Sequence, residues 1–233
     1  LTPSRERAVE VIAEGRVTVD GAVADKPARL VEAGAAIVVQ GPARAYVSRG
    51  GEKLAAGLDG FGISVTGLRA LDAGVSTGGF TDCLLQRGAR QVVAVDVGYG
   101  QIHERLRTDE RIDLRERTNV RTIDAAAIGG AVDLVVADLS FISLRTVAPA
   151  LLACAAPGAD LVLLVKPQFE AGRAEASRGR GVIRDPDVRT RVLEEVSGTL
   201  TDLGAAIMGT MESPLKGADG NVEFLLHARK GTD

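Results

Sequence analysis

At 233 residues and 45% hydrophobic content, the chain is long enough for one full domain plus a small appendage, with a sizeable buried core. Its formal net charge of -3 excludes a uniformly basic nucleic-acid binder, so any contact with a polynucleotide has to come from a local patch. Only Cys83 and Cys154 occur, each inside an apolar helical pattern, without metal-ligand spacing or a disulfide framework, which fits a reducing cytoplasm and no bound metal. No apolar run of about 18 residues and no signal-peptide pattern point to a bilayer. The chain opens on Leu1 and its first helix starts almost at once, from which we expect upstream residues, including part of a small N-terminal domain, to be missing.

Residues 4–14 read as a helix, with Ser4 as its N-cap and Ala8, Val11 and Ile12 on one face. Gly15 ends it. Strands are predicted at Val17–Val19 and Ala22–Ala24 around Asp20-Gly21, a dipeptide suited to a type I′ hairpin because both residues tolerate positive φ. Lys26-Pro27 closes the hairpin, and Ile37–Val39 supplies another strand. Helix, glycine, strand, turn, strand and Lys-Pro in that order, in "GRVTVDGAVADKPARLV", resemble the RNA-binding domain named after ribosomal protein S4. Its basic residues Arg5, Arg7, Arg16, Lys26, Arg29 and Arg44 are balanced by six acids before residue 46, so the resemblance implies a basic face completed by the missing helix. The polar, glycine-bounded stretch Gly41–Gly51 reads as an interdomain linker, with Arg44 and Arg49 at the junction.

From about residue 52 the pattern changes. An amphipathic helix carrying Leu54, Leu58 and Phe61 is followed by apolar runs at 68–71, 92–95, 132–136, 161–165, 205–208 and 222–226, separated by helical segments. Such alternation predicts a parallel sheet covered on both faces, with ligands bound at the carboxyl ends of its strands. The first of these strands runs into Asp72-Ala73-Gly74-Val75-Ser76-Thr77-Gly78-Gly79-Phe80 and then a helix. Glycines allow the backbone to pass close under a ligand, and the helix start offers free amide donors. Asp96, 22 residues after Gly74, ends the next strand, where a carboxylate can accept from both hydroxyls of a ribose. The loop reads G-x-x-x-G-G and not the dinucleotide G-x-G-x-x-G. Asp72 would sit badly beside a pyrophosphate but suits the amino group of S-adenosyl-L-methionine, which is the cofactor expected over a nicotinamide.

Charged residues recur at the strand tips. Asp138 ends Val135-Val136-Ala137, Lys166 ends Asp160–Val165 ahead of Pro167, and Glu223 falls in the last strand, Val222–Leu226. Buried lysine and glutamate are costly unless paired, so mutual ion pairs are the structural expectation. Five lysines against 23 arginines add a hint: lysine at 53 and 166 suggests an ammonium able to lose its proton, which arginine is not.

With "VSRGGEKL", "LDAGVSTGGFTDCLLQRGA", "VDLVVADLSFISL", "LVKPQFE" and "NVEFLL" in hand, the chain resembles the TlyA family of rRNA 2′-O-ribose methyltransferases over essentially residues 4–229. The resemblance implies an S4-type α/β domain over 1–43, a linker over 44–51, and an FtsJ-like catalytic domain over 52–233. The catalytic domain is expected to be a Rossmann-like class I methyltransferase sheet with helices on both faces. It carries a catalytic tetrad onto Lys53, Asp138, Lys166 and Glu223, with Lys166 as general base, Lys53 as the second cation, and the acids orienting both ammonium groups. The cofactor residues expected are Asp72, Gly74, Ser76, Thr77, Gly78, Gly79, Phe80, Asp96, Val97, Asn119 and Asp138. The expected partner is ribosomal RNA or a ribosomal subunit. RNA contacts are expected from Arg5, Arg7, Lys26 and Arg49, from Arg117 and Arg121 flanking Asn119, and from Phe141 as a ring against the target base. The glycine-containing loop with Arg173, Arg178, Arg180 and Arg184 completes that set. Three alternatives stay open at this point: a nicotinamide oxidoreductase, a non-catalytic RNA-binding protein, and a membrane-active role suggested by haemolysin labels in the family.

Overall fold

The computed structural model describes residues 2, 5–13, 15–24, 26–41, 45–172, 175, 177, 179–217 and 219–232. Ser4, Arg44, Arg173, Arg178 and the side chain of Arg7 lie outside what is described. The chain divides into two compact units, Leu1–Arg44 and Ala45–Asp233.

In the first unit, helix α1 (Arg5–Ala13) precedes strands β1 (Val17–Val19), β2 (Ala22–Val23) and β3 (Ile37–Val39). They form an antiparallel sheet in the order β2-β1-β3, with Val19 opposite both Ala22 and Ile37. The expected Asp20-Gly21 turn forms with φ 50° and 82°, the doubly positive backbone that a type I′ hairpin demands. Asp20 Oδ1 also accepts from the Ala36 amide at 2.8 Å, tying the turn to the return strand. Val11, Val17, Val19 and Ala24 make the small core.

The second unit opens with α2 (Arg49–Phe61) and alternates from there: β4 (Arg69–Ala73), α3 (Gly79–Gln86), β5 (Gln91–Val95), α4 (Glu104–Arg107), β6 (Ile112–Arg115), β7 (Val132–Ala137), α5 (Leu144–Cys154), β8 (Ala155–Val165), α6 (Pro167–Glu170), α7 (Pro186–Asp202), β9 (Ala205–Glu212) and β10 (Phe224–Lys230). The seven strands lie in the order β6-β5-β4-β7-β8-β10-β9. The first five are parallel, but β10 pairs antiparallel with both β8 and β9, so the all-parallel sheet expected from the sequence is corrected to a mixed one. Apolar content cannot report strand direction; the β9–β10 connection, being a hairpin, sets it. The sequence also passed over β6, whose polar IDLR lacks an apolar run because it is an edge strand.

Residues of alternating parity supply the two cores. Leu71, Val93, Val135, Leu161 and Leu163 pack under α5 and α7, while Ala70, Val92, Leu134, Val162 and Leu225 pack under α2 and α3. At the amino ends of the strands, buried Arg69 ties the layers together. It donates to Gln91 Oε1 at 2.8 Å, Gly130 O at 2.6 Å and Ile128 O at 2.5 Å. The glycines read as linker at 50 and 51 belong to the first turn of α2. A Cβ on Gly51 would strike the Tyr46 ring, whereas one on Gly50 would make only ordinary contact with Phe80 at 3.5 Å. Gly51 is there for close packing, which a sequence reads as flexibility.

Candidate active site

Three adjacent strands end in aspartates: Asp96 after β5, Asp72 within β4 and Asp138 after β7. Between them lies a cavity of about 460 Å³, lined by residues that include Gly74, Ser76, Asp96, Val97, Asn119, Asp138 and Phe141. Gly74 adopts φ 91°, and a Cβ there would meet Asp138 O at 2.6 Å, so only glycine lets the loop cross the β7 tip. Asp96 is fixed by accepting from the Ser76 amide at 2.8 Å and the Gly98 amide at 2.7 Å. Asn119 caps the short turn after β6 by accepting from the Arg121 amide at 3.0 Å.

Asp72 is fully buried beneath this loop instead of lining the cavity. One carboxyl oxygen accepts from Thr81 Oγ1 at 2.6 Å; the other, Oδ1, has no hydrogen-bond partner. Burial pushes its carboxyl up to about 7, with the negative charges of Asp138 and Asp96 adding to the shift and the Thr81 bond opposing it. A half-satisfied buried acid among three aspartates favours a ligand carrying positive charge and disfavours a pyrophosphate. The residues present therefore fit the sulfonium and ammonium of S-adenosyl-L-methionine.

Beside the cavity stand two ion pairs. Lys166, the N-cap of α6, contacts Asp138 Oδ1 at 2.6 Å and donates to Ser140 Oγ at 3.0 Å. Lys53, on the second turn of α2, meets Glu223 Oε2 at 2.5 Å. Glu223 precedes β10 instead of lying within it, a correction to the expected strand Val222–Leu226. Its position still follows from the sheet: Phe224 pairs with Val165, so continuing that antiparallel register by one residue sets Glu223 across from Lys166. Gly217 backs the Glu223 carboxylate so closely that a Cβ there would stand 2.5 Å from Oε1. Both lysines and Glu223 are buried.

Phe141 lies on the cavity rim with φ 64° and 92% of its surface exposed, its ring 5.1 Å from that of Phe169. An exposed aromatic in a left-handed backbone is the kind of local strain that collects at ligand sites. Arg117, also at positive φ, lays its guanidinium 4.3 Å over the Tyr99 ring, and Arg121 lines the cavity. Arg180 and Arg184 are exposed on the segment before α7. That segment is anchored by buried Asn221, whose side chain accepts from Ile183 N at 2.9 Å and donates to Gly181 O at 2.8 Å. Arg5, Lys26 and Arg49 are exposed on their own units.

Of the expected cofactor residues, Gly74, Ser76, Asp96, Val97, Asn119 and Asp138 border the cavity. Thr77, Gly78, Gly79 and Phe80 do not. A Cβ on Gly78 would strike Leu106, one on Gly79 would strike Ser48, and Phe80 is buried in the core under α2, so these three shape the loop from behind. Sequence reasoning missed Gln101, Thr118, Leu139, Ser140 and Ile142 on the cavity wall. Ser140 and Ile142 stood within reach, because they flank the singled-out Phe141; Gln101 and Thr118 carry no motif. Among the described residues no group of His, Cys, Asp and Glu could hold a metal ion, and no helix is long and apolar enough to cross a membrane.

A three-layer α/β sheet with a glycine loop between acidic strand tips defines a class I, nucleoside-cofactor type of fold. The FtsJ-like methyltransferase family matches residues 46–230 and the S4 domain matches residues 1–37, and the chain belongs to the FtsJ-like methyltransferase family. The 16S/23S rRNA (cytidine-2′-O)-methyltransferase TlyA of Mycobacterium tuberculosis is 53% identical over 234 residues, covering 100% of this chain and 87% of that protein. A solved hemolysin-named protein of Streptococcus thermophilus superposes with a TM-score of 0.83 at 39% identity, over 99% of this chain and 84% of that one. The N-methyltransferase NodS of Bradyrhizobium japonicum, solved with S-adenosyl-l-homocysteine, shares the fold at a TM-score of 0.55 and 20% identity, over 78% of this chain and 85% of that one.

Proposed function

We propose that the chain methylates a ribose 2′ oxygen of ribosomal RNA, using S-adenosyl-L-methionine held over Gly74, Ser76, Asp96, Val97 and Asn119. The observation that carries this reading is the pair of lysine–carboxylate contacts, Lys166–Asp138 and Lys53–Glu223, beside a cavity lined by Asp96 and Asp138 with Asp72 buried behind it. When bound, the cofactor supplies a sulfonium methyl whose transfer releases a neutral thioether. A ribose hydroxyl is a poor nucleophile until its proton leaves. Lys166, as the neutral amine, takes that proton, so the O–H bond breaks as an N–H bond forms and the oxygen is free to bond carbon. The Lys53 ammonium steadies the negative charge growing on the oxygen, while Glu223 and Asp138 hold the two amines in place. Positioning of the two reactants supplies a further large share of the rate.

The substrate class comes from the name of the Mycobacterium tuberculosis relative and from the S4 match. Phe141 is the ring proposed against the target nucleotide, and Arg117, Arg121, Arg180 and Arg184 are the proposed phosphate contacts. Arg5, Lys26 and Arg49 extend that set, and the cellular compartment proposed is the cytoplasm, where ribosomal subunits are found.

The test is a Lys166→Ala variant incubated with separated ribosomal subunits and labelled cofactor. Incorporation of 2′-O-methyl groups should fall at least 100-fold while cofactor binding stays within about threefold of the parent. Turnover near the parental rate would remove Lys166 from the mechanism.

A further inference from the structure

Ser140 lies outside the four residues given roles above, yet it touches the proposed base directly. A lysine amine has three positions around nitrogen besides its bond to carbon. In this structure two are occupied: Asp138 Oδ1 stands 2.6 Å from Lys166 Nζ and Ser140 Oγ accepts from it at 3.0 Å. Asp138 and Ser140 follow β7 two residues apart, and both border the cavity. Lys166 is itself held at the junction of β8 and α6, with Pro167 at the first helical position and the Phe169 ring 5.9 Å from Nζ. Rotation about the last carbon–nitrogen bond is the freedom that remains.

We infer that Ser140 is a positioning residue for the methyl-transfer reaction, holding one N–H of Lys166 so that the lone pair of the neutral amine points at the substrate hydroxyl. This rests on the reading of Lys166 as general base. A neutral amine has two N–H bonds and one lone pair. With a carboxylate as the sole acceptor, one N–H is fixed and the lone pair is shared between the two remaining positions. A second acceptor removes that choice: both N–H bonds are engaged, and the lone pair takes the third position. General-base catalysis depends on this alignment, because the accepting orbital has to lie along the O–H bond being broken. Ser140 suits the task since its oxygen accepts from nitrogen while its own proton stays free to rotate away. The residue is exposed, so its hydroxyl is not needed to satisfy the core.

Ser140→Ala leaves the lone pair shared between two positions and should therefore lower kcat about tenfold while leaving KM for ribosomal subunits and for cofactor within twofold. Ser140→Thr keeps the hydroxyl and should recover most of the rate.

A kcat within twofold of the parent in Ser140→Ala overturns the inference, and so does a Ser140→Thr variant as slow as Ser140→Ala. So does a rise in KM at constant kcat, which would make Ser140 a substrate contact instead. An inactive Lys166→Ala beside an unaffected Ser140→Ala overturns this inference alone; an active Lys166→Ala overturns the base assignment with it.

Discussion

Asp72 makes the choice of cofactor measurable through pH. Burial keeps its carboxyl protonated up to about 7, and its Oδ1 lies without a partner below the Gly74–Gly78 loop. At pH 8 the carboxylate predominates, and at pH 6 roughly one molecule in eleven carries it for a group titrating at about 7. S-adenosyl-L-methionine brings a net positive charge, which favours the ionised form. If binding selects that form, the apparent Kd is the intrinsic value divided by the ionised fraction, and affinity falls about tenfold from pH 8 to pH 6. Calorimetry in two buffers of different ionisation heat should show close to one proton released on binding at pH 6 and almost none at pH 8. S-adenosylhomocysteine, which lacks the sulfonium charge, should show a shallower dependence, and Asp72→Asn should flatten it. A parental Kd that stays within twofold from pH 6 to pH 8 refutes the assignment. The same shift has a definite sign for stability. The unfolded chain releases this proton near pH 4 and the folded chain near pH 7, so between those values the folded state alone binds it. Stability thus falls as pH rises through that window, by about 4 kcal/mol in total at the upper limit. Denaturation of Asp72→Asn at pH 5 and pH 8 should show that slope removed.

Gly74→Ala forces a side chain onto a backbone at φ 91° and against Asp138 O, so it should cost about 1–3 kcal/mol in urea unfolding and weaken cofactor binding at least tenfold. Arg69→Ala strands the carbonyls of Ile128 and Gly130 at the amino ends of the strands, opposite the cavity; stability should fall by about 3 kcal/mol, with kcat unchanged at a temperature where the variant is folded. Arg121→Ala and Arg180→Ala should each weaken association with ribosomal RNA and reduce the steepness of its salt dependence by about one unit, with the cofactor Kd unchanged in Arg180→Ala; an unaltered salt slope would remove that arginine from the phosphate-contact set.

Much of this arrangement was legible in the chain itself. Apolar runs bounded by glycine located six of the seven strands of the large sheet, because strands buried on both faces need continuous apolar content. The Asp20-Gly21 turn and the Gly74 crossing were readable for a local reason: backbone at positive φ restricts the residue type wherever it occurs. The candidate lysines and acids stood out by type and by their place at strand tips. Which acid meets which lysine was not legible. Lys53 and Glu223 are 170 positions apart, and only the insertion of β10 beside β8 brings them within 2.5 Å. Tertiary packing likewise buried Asp72 below the loop it was expected to line, turned Gly50 and Gly51 from linker into helix contact, and set Ser140 against Lys166. Local preference depends on neighbours in the chain and is written there; ion pairing, burial and the direction of a closing strand depend on residues that meet only once the sheet has formed.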